Sequence, residues 1–471
     1  MGEDTLFLIE LLESSNNIQY IDHPTFVYNK KISRKASSTQ QYGRRELKNH
    51  IHVWTEAEKI LNRIGLSYHE IRLHVGLNAA FRSMIFHGRG DIDEDTFQKF
   101  SSFLKIAGVR ISRSGFSGHH LEIFNAVMSG NYSLFLDSCK PRLLISGYDL
   151  KFILSSLEAL KEYFNIRIDE WKGHEAHDEK QSRQLLQWAE YVWCEWLLGN
   201  AVWYSRNVRD DQKLVIRMHR MELERNAGDS LKLDAVNSIV TVSVLFFERL
   251  LQKFKSIPRD KVRLIPNYSS VGAEDEHPVP ERLFKLGAIG IVPSRKGFMQ
   301  MLRILAALRE RDTRYSLDVF GHGPEQFSWI TRDRAEMQYY DECNEFIREN
   351  ELSDHVNFIG FAKIPEALSE RKVGFVLSTS ISGEFPGFES FHLAVLDGFS
   401  GGGQGVILRW DGCEYIYPPS MIFDTEEEIV EHISKTTIEE FYEASNLGRN
   451  LISSRYSQKN FIEAVVSIFK E

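Results

Sequence analysis

From Pro141 onward the chain alternates short apolar runs with segments of helical period, and that alternation leaves few folds open. Residues 142–147 read as a buried strand ending in a glycine turn, 149–164 as the helix that follows, and 166–170 as the next strand. The aromatic run from Trp188 to Trp196 predicts another strand, and 214–217, 236–242 and 262–265 complete a first set. A second set follows at 288–292, 316–320, 356–359, 374–377 and 406–408, with helices at 297–310 and 365–369 among the strands. A last amphipathic segment, 458–469, predicts a helix that crosses back onto the first set. Strands separated by helices form parallel sheets covered on both faces, so an α/β chain with two Rossmann-like domains facing a cleft is expected. Ligands of such sheets bind at the carboxyl ends of the strands.

Bulk properties agree. A chain of 471 residues is too long for one core. Hydrophobic residues at 42% and charged residues at 26% describe a globular protein. The net charge of -9 argues against nucleic acid as a partner. Cys139, Cys194, Cys343 and Cys413 are scattered and form no CxxC pair, which predicts neither a zinc site nor a disulfide framework and favours a reducing, cytoplasmic setting. The first residues are acidic, unlike a signal peptide, and no apolar run reaches the length of a membrane span. Peripheral contact with the inner face of a membrane stays open.

Residues 41–135 read as a helical, linker-like region. Asp91, Asp93 and Asp95 have the spacing that chelates a metal with a diphosphate, but an acid cluster just before a helix is more often a cap. His174, His177 and Asp178 have some metal-ligand character, with loose spacing and no third partner, so a polar loop is expected and no metal.

The residues richest in chemistry lie late in the chain. Glu389 and Asp397 flank an apolar segment containing Ser390, Phe391 and His392, and a glycine-rich run from Gly398 to Gly405 follows. A carboxylate accepts hydrogen bonds from vicinal hydroxyls, so two of them suit a sugar ring and a ribose. The pattern resembles the donor-sugar grip of retaining GT-B glycosyltransferases of family 4, in which two Glu stand in place of this Glu and Asp. Four more stretches carry the resemblance. They are Val236 to Ser243 with Val262 to Asn267, Gly290 to Gly297, Leu317 to Pro324, and Val356 to Gly360.

The resemblance implies a set of roles. Glu389 holds the donor sugar and Asp397 the ribose, while Glu384 is a second candidate for the sugar carboxylate. Lys296 neutralises the diphosphate, with Arg295 beside it; the family's usual arginine position is Ile291 here. Gly321 and Gly323 form the turn beside the nucleotide base. His219, after a buried strand, acts at the reacting carbon, and Arg220 reaches the phosphates. Gly147 lets the backbone approach the ligand. Tyr148, Asp149, Glu195 and Trp196 are acceptor-side candidates. No resident cofactor is implied; the donor is a UDP- or GDP-linked sugar.

Near the start, Glu3 and Asp4 open a helix-like pattern, followed by Ile18 to Asp22 and Pro24 to Tyr28. This resembles the end of a family 2 GT-A glycosyltransferase, whose nucleotide-binding half is absent. The domains expected are a remnant at 1–40, the helical region at 41–135, an acceptor domain at 136–270, a donor domain at 271–454 and a returning helix at 455–471. The resemblance implies a hexosyltransferase-type enzyme of cell-surface polysaccharide or glycoconjugate assembly. Its acceptor would be a glycan or a lipid-linked glycan, and a family 2 enzyme a further partner. The alternatives are a nucleotide-sugar epimerase on the same fold and a non-catalytic scaffold.

Overall fold

The computed structural model of the chain describes residues 3–19, 41–88, 91–272, 275, 277–383, 385–387 and 389–470. The expected GT-A-like strand at 24–28 and the alternative carboxylate Glu384 lie outside them.

The amino-terminal third is helical, with helices Glu3–Ser14, Arg44–Arg63, Leu73–His87, Glu94–Ala107, Gly118–Ser129 and Tyr132–Ser138. In Arg44–Arg63 the buried residues Leu47, Trp54, Ala57 and Leu61 recur every three to seven positions and form one stripe. That stripe meets Leu77, Phe81, Phe97, Phe100 and Phe124 in a core of its own. The region expected to be a linker is therefore a packed body, because its apolar residues have helical period and mutual partners. Asp93 caps Glu94–Ala107 by accepting from the Thr96 amide at 2.8 Å, and it also pairs with Arg44 at 3.1 Å, so this acid cluster serves the helix start.

The first sheet contains β1 (Arg142–Gly147), β2 (Asn165–Glu170), β3 (Tyr191–Glu195), β4 (Lys213–Arg217), β5 (Ser238–Thr241) and β6 (Val262–Leu264), in the order β2-β1-β3-β4-β5-β6. The second contains β7 (Lys285–Ile289), β8 (Ser316–Phe320), β9 (Val356–Gly360), β10 (Phe375–Ser378), β11 (Gln404–Leu408) and β12 (Ile422–Phe423), in the order β12-β11-β10-β7-β8-β9. Every pairing within the two sheets is parallel. The alternation of side chains sorts the first sheet into two cores. Leu144, Val192, Cys194, Leu214 and Ile216 face one way, and Leu143, Ile145, Tyr191, Trp193 and Val215 the other.

Three expectations need correction, and one strand was not expected. The single helix over 149–164 is two short helices, Lys151–Leu154 and Leu157–Lys161. They part where the Ser156 hydroxyl bonds back to the Ile153 carbonyl and competes with the helix ladder. The aromatic run at Trp188 straddles two elements, the end of helix Glu179–Trp188 and β3. The strand placed at 288–292 is β7, three residues earlier, because Gly290 takes φ 70° and ends it. The short edge strand β12 has too few residues to show a period.

Helix Gln458–Lys470 crosses back and covers one face of the first sheet. Phe469 stacks on Tyr191 with ring centroids 4.7 Å apart and meets Phe164 at 5.9 Å. Truncating it empties a fully packed site. Phe469→Ala is expected to cost about 3–5 kcal/mol, read as a lowered urea midpoint for unfolding.

Candidate active site

The two sheets aim their carboxyl ends at a shared cleft of about 440 Å³. Trp196 follows β3, His219 and Arg220 follow β4, and Asn267 follows β6. From the other side come Ile289 at the end of β7, then Arg295 and Lys296, and after β10 Glu389, Ser390, His392 and Asp397. Residues more than two hundred positions apart thus line one cavity. Arg220 ties the halves together, since its Nε donates to the Gly387 carbonyl at 2.8 Å.

Lys296 and Glu389 are in direct contact. The Lys296 ammonium donates to Glu389 Oε1 at 2.6 Å, and the Ser380 hydroxyl donates to the same oxygen at 2.7 Å. Burial pushes the Glu389 carboxyl up, but Lys296, His392 and the Ser380 hydrogen bond together outweigh burial and hold it at about 2. Glu389 is therefore an anion at any working pH. Gly297 makes this contact possible. It has φ 75° before helix Phe298–Arg311, and a Cβ there would lie 2.0 Å from the Thr379 carbonyl. Only glycine lets the Lys296 loop approach the end of β10 so closely.

Arg295 also lines the cleft, whereas Ile291 is buried in the core. Burial and the nearby Arg220 lower the Arg295 pKa, so like charges from both halves meet here. Arg220, Arg295 and Lys296 bring three cations to the floor of the cleft, where Arg220 pairs with Glu224 at 2.7 Å and Lys296 with Glu389.

His392 adopts φ 50°, a left-handed backbone unusual for histidine. Burial holds its imidazole down at about 4, against the opposing pull of Glu389. It is therefore neutral. Its Nδ1 lies 2.6 Å from the Ser378 hydroxyl, which already accepts from Trp410 Nε1 at 3.1 Å. The serine hydroxyl, with one proton and two lone pairs, can donate to Nδ1 or accept from it while it holds the Trp410 bond. Nε2 is buried and has no hydrogen-bond partner among the described residues.

Several expected site residues lie elsewhere. Phe391 is buried against Tyr417 and Tyr456 and does not face the cleft. Glu195 is fully buried and cannot touch an acceptor. It accepts from Trp193 Nε1 at 2.7 Å, Arg217 at 3.2 Å and His219 Nε2 at 2.9 Å. Burial raises the Glu195 pKa, but Arg217 and His219 outweigh it and leave it lowered. His219 itself is covered by Phe152 and Trp196, each 4.5 Å away by ring centroid, so it reaches the cleft edge with Nε2 already engaged. Gly147 lies off the cleft; a Cβ there would sit 2.8 Å from the Glu195 carbonyl, so its small size serves strand packing. Tyr148 is exposed and packs edge-on against His174, and Asp149 pairs with Lys151 at 2.8 Å. Gly321 and Gly323 shape the turn after β8, where His322 stacks on Phe361 at 5.5 Å. His177 stacks on Trp171 and bonds to Ser182. No group of metal-ligating side chains occurs among the described residues.

Sequence reasoning assigned no role to Lys151, Phe152 or Asn267, which line the cleft. Asn267 stood in a quoted stretch, at the end of a strand, and that was its available signal. Phe152 carried none.

No family model matches this chain, and no curated protein matches it. Solved structures do. Sucrose-phosphate synthase from Thermosynechococcus elongatus is 12% identical, with a TM-score of 0.51 over 70% of this chain and 98% of that one. Anabaena HepE, solved with UDP-glucose, is 14% identical, with a TM-score of 0.50 over 69% of this chain and 98% of its own. The match to S. aureus TarM, at 13% identity and a TM-score of 0.47, spans 60% of this chain but only 55% of TarM. The chain has the two-domain GT-B fold.

Asp397 lines the same cleft and bonds to the Ser269 hydroxyl at 3.3 Å. Burial pushes its carboxyl from 3.8 up to about 7, with the Ser269 bond opposing. A raised folded pKa means its stabilising contribution is complete below about pH 4 and is lost as pH rises through 7. Asp397→Asn stays neutral. It is expected to gain on wild type progressively from pH 4 to 7 and then plateau, by on the order of 4 kcal/mol, read from melting curves across pH.

Proposed function

We propose that this chain is a retaining glycosyltransferase that moves a sugar from a nucleotide diphosphate sugar to a hydroxyl acceptor. The observation that carries the reading is the cleft itself: Arg220, Arg295 and Lys296 converge beside one permanently ionised carboxylate, Glu389. Cations beside an anion at the meeting of two parallel sheets suit a ligand that joins a polyanion to a polyhydroxyl group. The second sheet is the donor half and the first sheet the acceptor half.

In this reading Lys296 and Arg295 take the diphosphate, and the charge that grows there as the glycosidic bond breaks is met by fixed cations. Glu389 accepts hydrogen bonds from the sugar hydroxyls, while Ser380 keeps it in place when Lys296 turns to the phosphate. His392 Nε2–H donates to the donor, which supplies the partner it lacks. Asp397 receives the ribose hydroxyls. The acceptor oxygen attacks the anomeric carbon on the face the phosphate leaves, and the departing phosphate oxygen takes the acceptor proton. Glu195 and Arg217 position His219 at the acceptor side of the cleft.

The relatives in the fold comparison support this direction, since HepE was solved with UDP-glucose. UDP is the first nucleotide to test and GDP the second. A hexosyl donor, family 4 membership and a role in polysaccharide or glycoconjugate assembly extend the same reading, as do a glycan or lipid-linked glycan acceptor and a cytoplasmic site. The epimerase alternative is disfavoured by Glu389, because a carboxyl held near 2 is a poor base for hydrogen abstraction. A pure scaffold has no use for Arg295 and Lys296 gathered with Glu389 on an open cavity.

Two measurements test the proposal. UDP or GDP is expected to raise the melting temperature of the wild type in proportion to the logarithm of its concentration. Lys296→Ala is expected to weaken that nucleotide about 100-fold, through loss of a charge-assisted bond. No shift with UDP, GDP or UDP-glucose overturns the reading. Glu389→Gln, which keeps shape and removes charge, is expected to lower kcat by about 10²–10³-fold in a transfer assay. Unchanged turnover would remove Glu389 from the site.

A further inference from the structure

The helical amino-terminal body carries a surface that the cleft does not use. Ile106 is 80% exposed and Val109 78% exposed, among the most exposed large apolar side chains in the described residues. They lie on the last turn of helix Glu94–Ala107 and the 3-10 turn Gly108–Arg110 that follows. This segment is not loose. Leu104, Ala107 and Ile111 are buried in the core of the helical body, so alternate residues anchor the chain while Ile106 and Val109 are held outward. The short helix Tyr68–Ile71 packs against the same turn and adds Ile71, 55% exposed.

Charge separates this patch from an ordinary apolar spot. From Lys105 to Arg113 the chain carries Lys105, Arg110 and Arg113 and no acidic residue. Arg110 reaches back to the mostly buried Glu58 at 3.4 Å, which fixes the guanidinium beside Val109. A contrast lies in the same body. Helix Glu3–Ser14 also exposes Phe7 and Leu8, but its sequence holds Glu10 and Glu13 and no cation. Segments 68–72 and 105–113 carry Arg72, Lys105, Arg110 and Arg113 against Glu70 and the paired Glu58, so apolar side chains project from a net cationic tip, which is complementary to a surface with an apolar interior under an anionic layer. We infer that the tip formed by Ile71, Ile106 and Val109 docks the protein on an anionic lipid bilayer, with Lys105, Arg110 and Arg113 at the headgroups. This holds whether or not the cleft transfers sugar.

The test is flotation of the full chain with phosphatidylcholine vesicles, with and without about 30 mol% phosphatidylglycerol, at low and high salt. The expected result is binding at least about ten-fold stronger to the anionic vesicles, weakened by high salt. The double variants Ile106→Ser/Val109→Ser and Lys105→Glu/Arg113→Glu each change exposed side chains, so both are expected to keep the wild-type melting temperature and to lose that binding. Absence of binding to either vesicle, or variants that bind as the wild type does, overturns the proposal. Equal binding to neutral and anionic vesicles also overturns it, because the cations would then have no part. If wild type ignores vesicles but self-associates in light scattering, and the double serine variant does not, the patch belongs to a second copy of the chain and the lipid assignment is wrong.

Discussion

A carboxylate taken out of water must be matched by positive charge and hydrogen bonds, or it protonates or unfolds its surroundings. The cleft of this protein is organised by that requirement. Glu389 sits nearly buried beyond β10, and Lys296, Ser380 and His392 are arranged around it. Satisfying Glu389 draws the Lys296 loop onto the end of β10, which in turn demands glycine at 297. The loop position then places Arg295 in the cleft. The first half repeats the solution with Glu195, which is matched by Arg217, His219 and Trp193. One buried anion orders each side of the cleft, and the two differ in what they leave available. Glu389 borders the cavity, whereas Glu195 is sealed and bonds to His219.

The two halves meet through polar bonds and through an apolar cluster in which Val242, after β5, packs with Phe391, Val395 and Trp410. Arg220 bonds to the Gly387 carbonyl, Ser269 to Asp397, and the Ser269 amide to the Tyr456 carbonyl where the chain crosses back. The final helix adds the apolar counterpart, because Phe461, Val465 and Phe469 belong to the core of the first half although the chain has just left the second. Ser269 and Ser457 form an isolated parallel bridge where the chain passes between the halves.

Much of the architecture was legible before any coordinates. The bounds expected for β1 and β8 coincide with those observed, since each is a compact apolar run with a glycine after or at its end. Lys296 and Glu389 were both singled out, yet their contact spans 93 positions and nothing local foretells it. The misplacements have local causes. Gly290 ended β7 early, and Ser155 and Ser156 divided a helix whose apolar period runs through them. Phe391 was grouped with its neighbours Ser390 and His392 but turns into the core, because His392 adopts a positive φ and redirects the chain. Glu195 looked like an exposed acid at a strand end. Its partners come from β4 and from Trp193 on its own strand, and together they close over it.

By itself, then, the sequence determined the two parallel sheets, the helical content of the region ahead of them and the end of each sheet at which a cleft forms. Those follow from hydrophobic period and from the direction of parallel strands, which are local properties of the chain. The tertiary structure decided which polar residues face the cleft and which are sealed, how each carboxylate is neutralised, and that the helical body presents a cationic apolar tip. Burial and charge pairing depend on groups brought together from distant positions, and no window of sequence contains both partners.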